Sequence, residues 1–402
     1  MSSSETELLS CDVLIVGGGP AGLSVASSLP SEVQSIVVHQ DKEVGKPVRT
    51  SGGSWVKDLR DLNVPHHLYK EIGAIEFHSD NFKALTKLKK NKAAVLDVTG
   101  LYKWLAEQAL KKNCSILTDT KYLSSALSED GAHYISKVRG KENKSTEVVS
   151  NFIVDASGSS CSVLHSMGIS TPPNRVGIGM EYEFESKSKN LDKAILFVGS
   201  LAYSGYGWIF PAPKNKIRVG VGVIQPDTQA SPRELVEKVL NSSVFRKFEV
   251  SIGDLHQVNA GIIPSTRYDK DLVFGKIARV GDSANFATPT VGEGIRISIK
   301  FGKLLGQCLG EALCSNSSAP LKNYESLCRK EFLKNYRFGF LANNRITRYR
   351  AAEWDRSVKR LSKLSEEEVV ALLRSEFSPA MIFPAATKYL RSKVFGERSK
   401  KT

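Results

Sequence analysis

The sequence predicts an α/β fold: a Rossmann-like dinucleotide-binding domain, an inserted and mainly antiparallel β-sheet domain for substrate, and a C-terminal helical region. Three observations predict it. A short apolar run at 13–16 leads without a gap into Gly17-x-Gly19-x-x-Gly22 and then into small apolar residues over 23–29, the order strand, tight turn, helix. From 177 to 223 the pattern changes to alternating strands rich in glycine and aromatic residues. Residues 321–402 read as helical and mix aromatics with 19 Lys and Arg against 9 Asp and Glu.

In the first motif the reason for glycine is steric. Gly17 allows a sharp turn, Gly19 lets a pyrophosphate approach the backbone, and Gly22 lets helix and strand close up. Pro20 and Ala21 belong to the same cofactor-binding motif, and the amides at the N-terminus of the helix that follows, with its partial positive charge, face the phosphates. A second strand at 35–38 follows. Its end usually supplies an acid to the ribose hydroxyls, whereas loop length here points to His39 or Gln40 rather than Asp41. The loop 45–53 carries Arg49, a forked donor suited to pyrophosphate charge. Residues 83–92 are too basic for a core and read as a surface excursion or hairpin. Helical spacing covers 97–112, strands cover 115–123 and 132–138 about a turn at 129–131, and another short strand ends at Asp155.

In the inserted segment Tyr206, Trp208 and Phe210 alternate, so one strand face carries three rings, followed by Gly220-Val-Gly222. Such a face suits an aromatic wall over a flat ring or an apolar substrate. A helix is expected over 231–240. The chain then returns through a strand to Gly281-Asp282 and Pro289-x-x-Gly292-Glu293-Gly294-Ile295, a second glycine-rich turn before a small-residue helix over 297–313. The expected organisation is a polar tail (1–10), a discontinuous dinucleotide-binding domain (11–75, 97–165 and 261–312), a sheet domain (76–96 and 166–260) and a basic helical region (313–402).

The 402 residues, 41% hydrophobic and 24% charged, suit a soluble globular protein. No apolar run reaches the length of a bilayer span, and the polar, acidic first ten residues lead to the expectation that the protein is not secreted. A cytoplasmic location is expected. The six cysteines show no metal spacing, so reduced thiols and no metal are expected. The net charge of +14 comes without a nucleic-acid module, which leaves a solvated helical face or a peripheral membrane surface as its use.

Together, residues 11–312 resemble the geranylgeranyl reductase family of FAD-dependent oxidoreductases, within the hydroxylase-like flavoprotein superfamily. The resemblance rests on Gly17–Gly22, Gly45–Gly53, Asp155–Gly158, Tyr206–Pro211 and Gly281–Ile295. It implies FAD as cofactor, held by the first motif, Arg49, Gln108, Asp282 on the ribityl chain, and Pro289, Gly292, Gly294 and Ile295 at the ring. It further implies a substrate cavity lined by Tyr206, Trp208 and Phe210, with Thr50 and Ser51 orienting the substrate. Tyr206 is the motif residue with a transferable proton. The chain departs from the family at Thr50-Ser51-Gly52, where Cys-Gly-Glu is common, at Asp97-Val98 in place of Asp-Arg, and at the ribose acid.

The implied reaction is reduction of C=C bonds of an apolar isoprenoid or lipid. Without a second GxGxxG unit, electrons are expected from transiently bound NAD(P)H or from an external, ferredoxin-type donor. The alternative is a flavin-dependent monooxygenase or halogenase of the same superfamily. The motifs at 155–158 and 205–211 also resemble halogenases, with Tyr206 and Phe210 where those have Trp and Ile. A non-catalytic flavin-binding scaffold is the third class.

Overall fold

The computed structural model describes residues 7–188, 191–241 and 243–377. The chain runs β1 (Glu7–Val16), α1 (Pro20–Ala26), β2 (Ser35–Val38), β3 (Gly53–Trp55), α2 (Val56–Asp61), β4 (Tyr69–Ile72), β5 (Ala74–His78), β6 (Lys83–Lys87), β7 (Ala93–Leu96) and α3 (Val98–Leu110). Then come β8 (Cys114–Leu117), β9 (Lys121–Leu127), β10 (Tyr134–Arg139), β11 (Ser145–Asp155), α4 (Ser162–Ser166), β12 (Val176–Ser186) and β13 (Lys193–Gly199). These are followed by β14 (Ala202–Ala212), β15 (Lys216–Gln225), α5 (Pro232–Asn241), β16 (Ile252–Pro264), β17 (Val273–Phe274) and β18 (Ile277–Arg279). Four helices follow: α6 (Ile295–Ser315), α7 (Ala319–Ile346), α8 (Ala351–Leu361) and α9 (Glu366–Leu373).

One sheet has the order β17-β18-β11-β1-β2-β8, parallel from β18 to β8, with β10 and β9 added beside β11. Val13, Leu14 and Ile15 are wholly buried, as strands covered on both faces require. A side chain on Gly17 (φ +118°) would strike the Ala156 carbonyl, so glycine is what lets the first turn pass the end of β11. The second sheet, β16-β12-β15-β14-β13-β5-β6, is antiparallel except for β13 with β5. A third, small sheet has the order β3-β7-β4.

Several boundaries differ from the sequence reading. β1 begins at Glu7, inside the stretch read as a polar tail, because Glu7–Ser10 pair with Thr146–Val149. The strand expected at 115–123 is two, β8 and β9, separated at 118–120 where Asp119 adopts φ +53°. The hairpin starts before the basic segment at 83–92: β5 and β6 pair with each other at the edge of the second sheet. In α7, Leu321, Tyr324, Cys328, Phe332 and Tyr336 are buried at helical spacing and join the same core as α1 and α6. Residues 378–402 of the expected basic region lie outside the described residues.

Candidate active site

Two helix starts converge. Gly19 caps α1 in an extended conformation and leaves open space where a side chain would stand. A Cβ on Gly281 would lie 2.8 Å from the Ala21 Cβ, so the turn after β18 packs directly on the first turn of α1. Asp282 follows, and its Oδ1 is 3.3 Å from where a Gly294 Cβ would be, at the N-terminus of α6. The Asp282 carboxyl accepts no hydrogen bond and forms no ion pair among the described residues, and burial pushes it up to about 6. An unpartnered carboxyl beside two helix N-termini suits a ligand carrying hydroxyls and phosphates. The residues present therefore fit FAD.

Around this cleft the sequence-derived residues separate. His39 lies with its ring against Gly18, and burial lowers its pKa, so a neutral imidazole sits there. Gln40 is exposed. Asp41, set aside in the sequence reading, accepts Arg49 Nη1 and Nη2 at 2.6 and 2.9 Å. The Arg49 guanidinium is thus held by this chain's own carboxylate. Gln108 donates to Trp104 O in its own helix and accepts from Lys111 Nζ just past the helix end.

Beside the cleft lies a cavity of about 380 Å³, lined by one face of the second sheet, by Thr50, Ser51, Pro289 and Val291, and by α7 to α9. Tyr206, Trp208 and Phe210 do share a strand face, with ring centroids 5.7 and 6.3 Å apart in succession. The Trp208 indole lies across a glycine floor: a Cβ on Gly220 would collide with it, and those on Gly179 and Gly222 would sit 3.4 Å away. This is the physical content of Gly220-Val-Gly222. Trp208 Nε1 donates to Glu181 Oε2 at 2.8 Å. Tyr206 donates its hydroxyl proton to Val291 O at 2.6 Å. Burial first, then the charge of Glu293, raises the Tyr206 pKa, so this phenol is a poor acid and a good spacer. It also lines a second cavity of about 100 Å³ with Ser54, Phe210 and Glu293.

Two features escaped the sequence reading: the buried Glu181, and the part of α8 and α9 in the cavity wall. Glu181 and Glu183 point inward two residues apart opposite Arg218. Acidic residues at strand period are the signal that could have found them.

Glycine-lined helix starts that meet at an unpartnered carboxyl, with an apolar cavity alongside, define an FAD-dependent oxidoreductase. The chain belongs to the FAD binding domain family, whose model matches residues 10–338. It is similar to digeranylgeranylglycerophospholipid reductase 3 of Methanosphaera stadtmanae, 23% identical over 314 residues that cover 75% of this chain and 78% of that protein. It is also similar to the digeranylgeranylglycerophospholipid reductase of Thermoplasma volcanium, 23% identical over 392 residues covering 94% and 96%. Among solved structures it shares its fold with a geranylgeranyl bacteriochlorophyll reductase-like protein of Thermoplasma acidophilum, with a TM-score of 0.80 and 20% identity over 94% and 96% of the two chains. These likenesses bear out the resemblance drawn from the motifs. No helix among the described residues is long and apolar enough to cross a membrane.

Proposed function

We propose that the chain reduces carbon–carbon double bonds of an isoprenoid lipid. The observation that carries this reading is the apolar cavity, walled by Trp208 and Tyr206, that adjoins the turn at 289–294. The relatives named for digeranylgeranylglycerophospholipid support the same substrate class. Reduced FAD supplies hydride when bound. The chain's own residues bind, orient and shield: the starts of α1 and α6 and Asp282 hold the cofactor, together with Pro289, Gly292 and Ile295. Trp208 aligns the alkene, while Phe210, expected beside it, lines the smaller cavity instead; Thr50 and Ser51 fix the alkene's approach, and α8 and α9 exclude water from the cavity. Tyr206, with its hydroxyl given to Val291, positions rather than protonates.

Electrons come from NAD(P)H or a ferredoxin-type donor. The basic C-terminal region docks on an anionic membrane, each cation contributing on the order of 1 kcal/mol near the surface, which makes the protein peripheral. Sedimentation with anionic vesicles that is lost at high salt is the expected result; binding to neutral vesicles alone would exclude it.

The deciding assay is anaerobic. Dithionite-reduced yellow protein mixed with digeranylgeranylglycerophospholipid should yield product heavier by two hydrogens. A product heavier by one oxygen and formed only in air would instead identify a monooxygenase.

A further inference from the structure

Under the aromatic wall lies a buried charged cluster that cofactor binding does not use. Glu181 and Glu183 on β12 and Arg218 on β15 are 2%, 5% and 5% exposed. Arg218 Nε donates to Glu183 Oε2 at 2.6 Å and stands 3.7 Å from Glu181 Oε1, while Nη1 donates to the carbonyls of Ser51 and Leu96. One guanidinium thus serves two buried carboxyl groups, and Glu183 holds the nearer position. Two carboxyl groups sharing one cation in a low-dielectric site tend to keep a proton between them.

Glu181 is where that proton belongs. Its oxygens accept only neutral donors at hydrogen-bond distance, Trp208 Nε1 at 2.8 Å and Asn259 Nδ2 at 2.9 Å. The charged groups facing it are Arg218 from β15 and Glu183 from its own strand; β14 and β16 offer the neutral Trp208 and Asn259. Burial pushes its pKa up, against the opposing pull of Arg218. Glu181 is also the one Asp or Glu that lines the 380 Å³ cavity among the described residues.

We propose that Glu181 is the proton donor of the alkene reduction, acting from the sheet side of the cavity; this rests on the reductase reading above. The hydride brings two electrons and forms a C–H bond at one alkene carbon. The π pair then takes the Glu181 proton at the other carbon, and the electrons of the broken O–H bond stay on the carboxylate. The alkene gains two hydrogens, the flavin loses two electrons, and water returns a proton to Glu181. Arg218 stabilises the carboxylate in the interval.

Glu181→Gln keeps an acceptor for Trp208 but has no proton to give. With dithionite-reduced holoprotein and digeranylgeranylglycerophospholipid in detergent micelles, flavin reoxidation in this variant is expected to slow by roughly 10²–10⁴, with flavin content unchanged. In the wild type the rate should fall as pH rises through the Glu181 titration. In Glu183→Gln the fall should move to lower pH, because Arg218 then serves Glu181 alone. Infrared spectra of the holoprotein at neutral pH supply a readout independent of substrate: a protonated-carboxyl C=O band present in the wild type and missing in Glu181→Gln.

Reoxidation in Glu181→Gln within about threefold of wild type would overturn the proposal, as would the absence of that band in the wild type. A pH profile unmoved in Glu183→Gln would do the same. A wild type that never forms the two-hydrogen product defeats the reductase reading, while the infrared band still decides where the proton sits.

Discussion

At the scale of single residues, Asp282 makes the clearest prediction. Its pKa is raised by burial from 3.8 to about 6 in the folded chain. A group raised in this way stabilises the fold below its unfolded value, and that stability is lost as pH rises through the folded value. Apoprotein should therefore lose stability between about pH 4 and pH 6, by up to about 3 kcal/mol. Urea denaturation should show that slope, and Asp282→Asn should flatten it. Hydroxyls donating to the carboxylate reverse the balance, so FAD should bind more tightly as pH rises from 5 to 7. A flavin titration that is flat with pH would contradict the assigned contact. The thiols give a second check. Burial pushes Cys11 up to about 12 and Cys161 up to about 11, whereas Cys314 is exposed. A thiol reagent should modify Cys314 first in the native protein. Residue identity alone exposed the glycines and Asp282, because their chemistry is local to a motif. It did not expose Glu181, whose partner Arg218 is supplied by the fold, and it set Asp41 aside because the pairing with Arg49 depends on how the loop folds back.

At the scale of elements, α6 shows what glycine spacing does. Gly302 and Gly306 face α1, and a Cβ on Gly306 would lie 2.5 Å from the Val25 carbonyl oxygen and 3.0 Å from the Ser28 Cβ. Gly306→Ala gains about 1 kcal/mol of helix propensity. The new methyl group meets backbone, which cannot rotate away, and such overpacking costs about 1–3 kcal/mol. The second effect should win. Thermal denaturation should show a lower Tm, and the displaced α1 should release FAD more easily; an unchanged Tm would mean the helices can separate freely. The small-residue character of this helix was legible in the sequence, and so were β2, α5 and the ring-bearing face of β14. The division of β8 from β9 was not, because the turn at 118–120 contains neither Gly nor Pro and its positive φ falls on Asp119. Within the last five residues of β11, only Phe152, Ile153 and Val154 form a continuous apolar run. Its first half buries Thr146, Val148 and Ser150 in alternation, a pattern that polar residues conceal.

At the scale of the whole molecule, the charge of the C-terminal helices left a solvated face or a peripheral membrane surface as their use, yet α8 and α9 also close the cavity. Their apolar residues Val358, Val369 and Val370 are buried with the β5–β6 hairpin, while polar ends tie them down at three places. Asp355 accepts the Asn81 amides, Glu366 accepts the backbone amides of Lys89, Lys90 and Asn91, and Arg374 donates to both oxygens of Asp58 at 2.6 and 3.1 Å. Each tie joins residues about 270 to 316 positions apart in sequence, which is why no local pattern announced them. The third tie matters most to the site, because Asp58 also pairs with Arg296, and Arg296 with Glu293 in the turn at 289–294. Thr290 and Ser375 share a further hydrogen bond of 2.7 Å. Arg374→Met removes the tie to Asp58 yet leaves Arg296 to neutralise that carboxylate. Losing two hydrogen bonds to a charged group should loosen the end of α9 by about 1–3 kcal/mol. Because α9 walls the cavity and not the FAD cleft, the expected result is faster amide exchange at 366–374 and a higher KM for lipid at unchanged FAD content. Exchange as slow as in the wild type, or loss of FAD in step with loss of lipid, would show that the roof and the cofactor cleft are one cooperative unit.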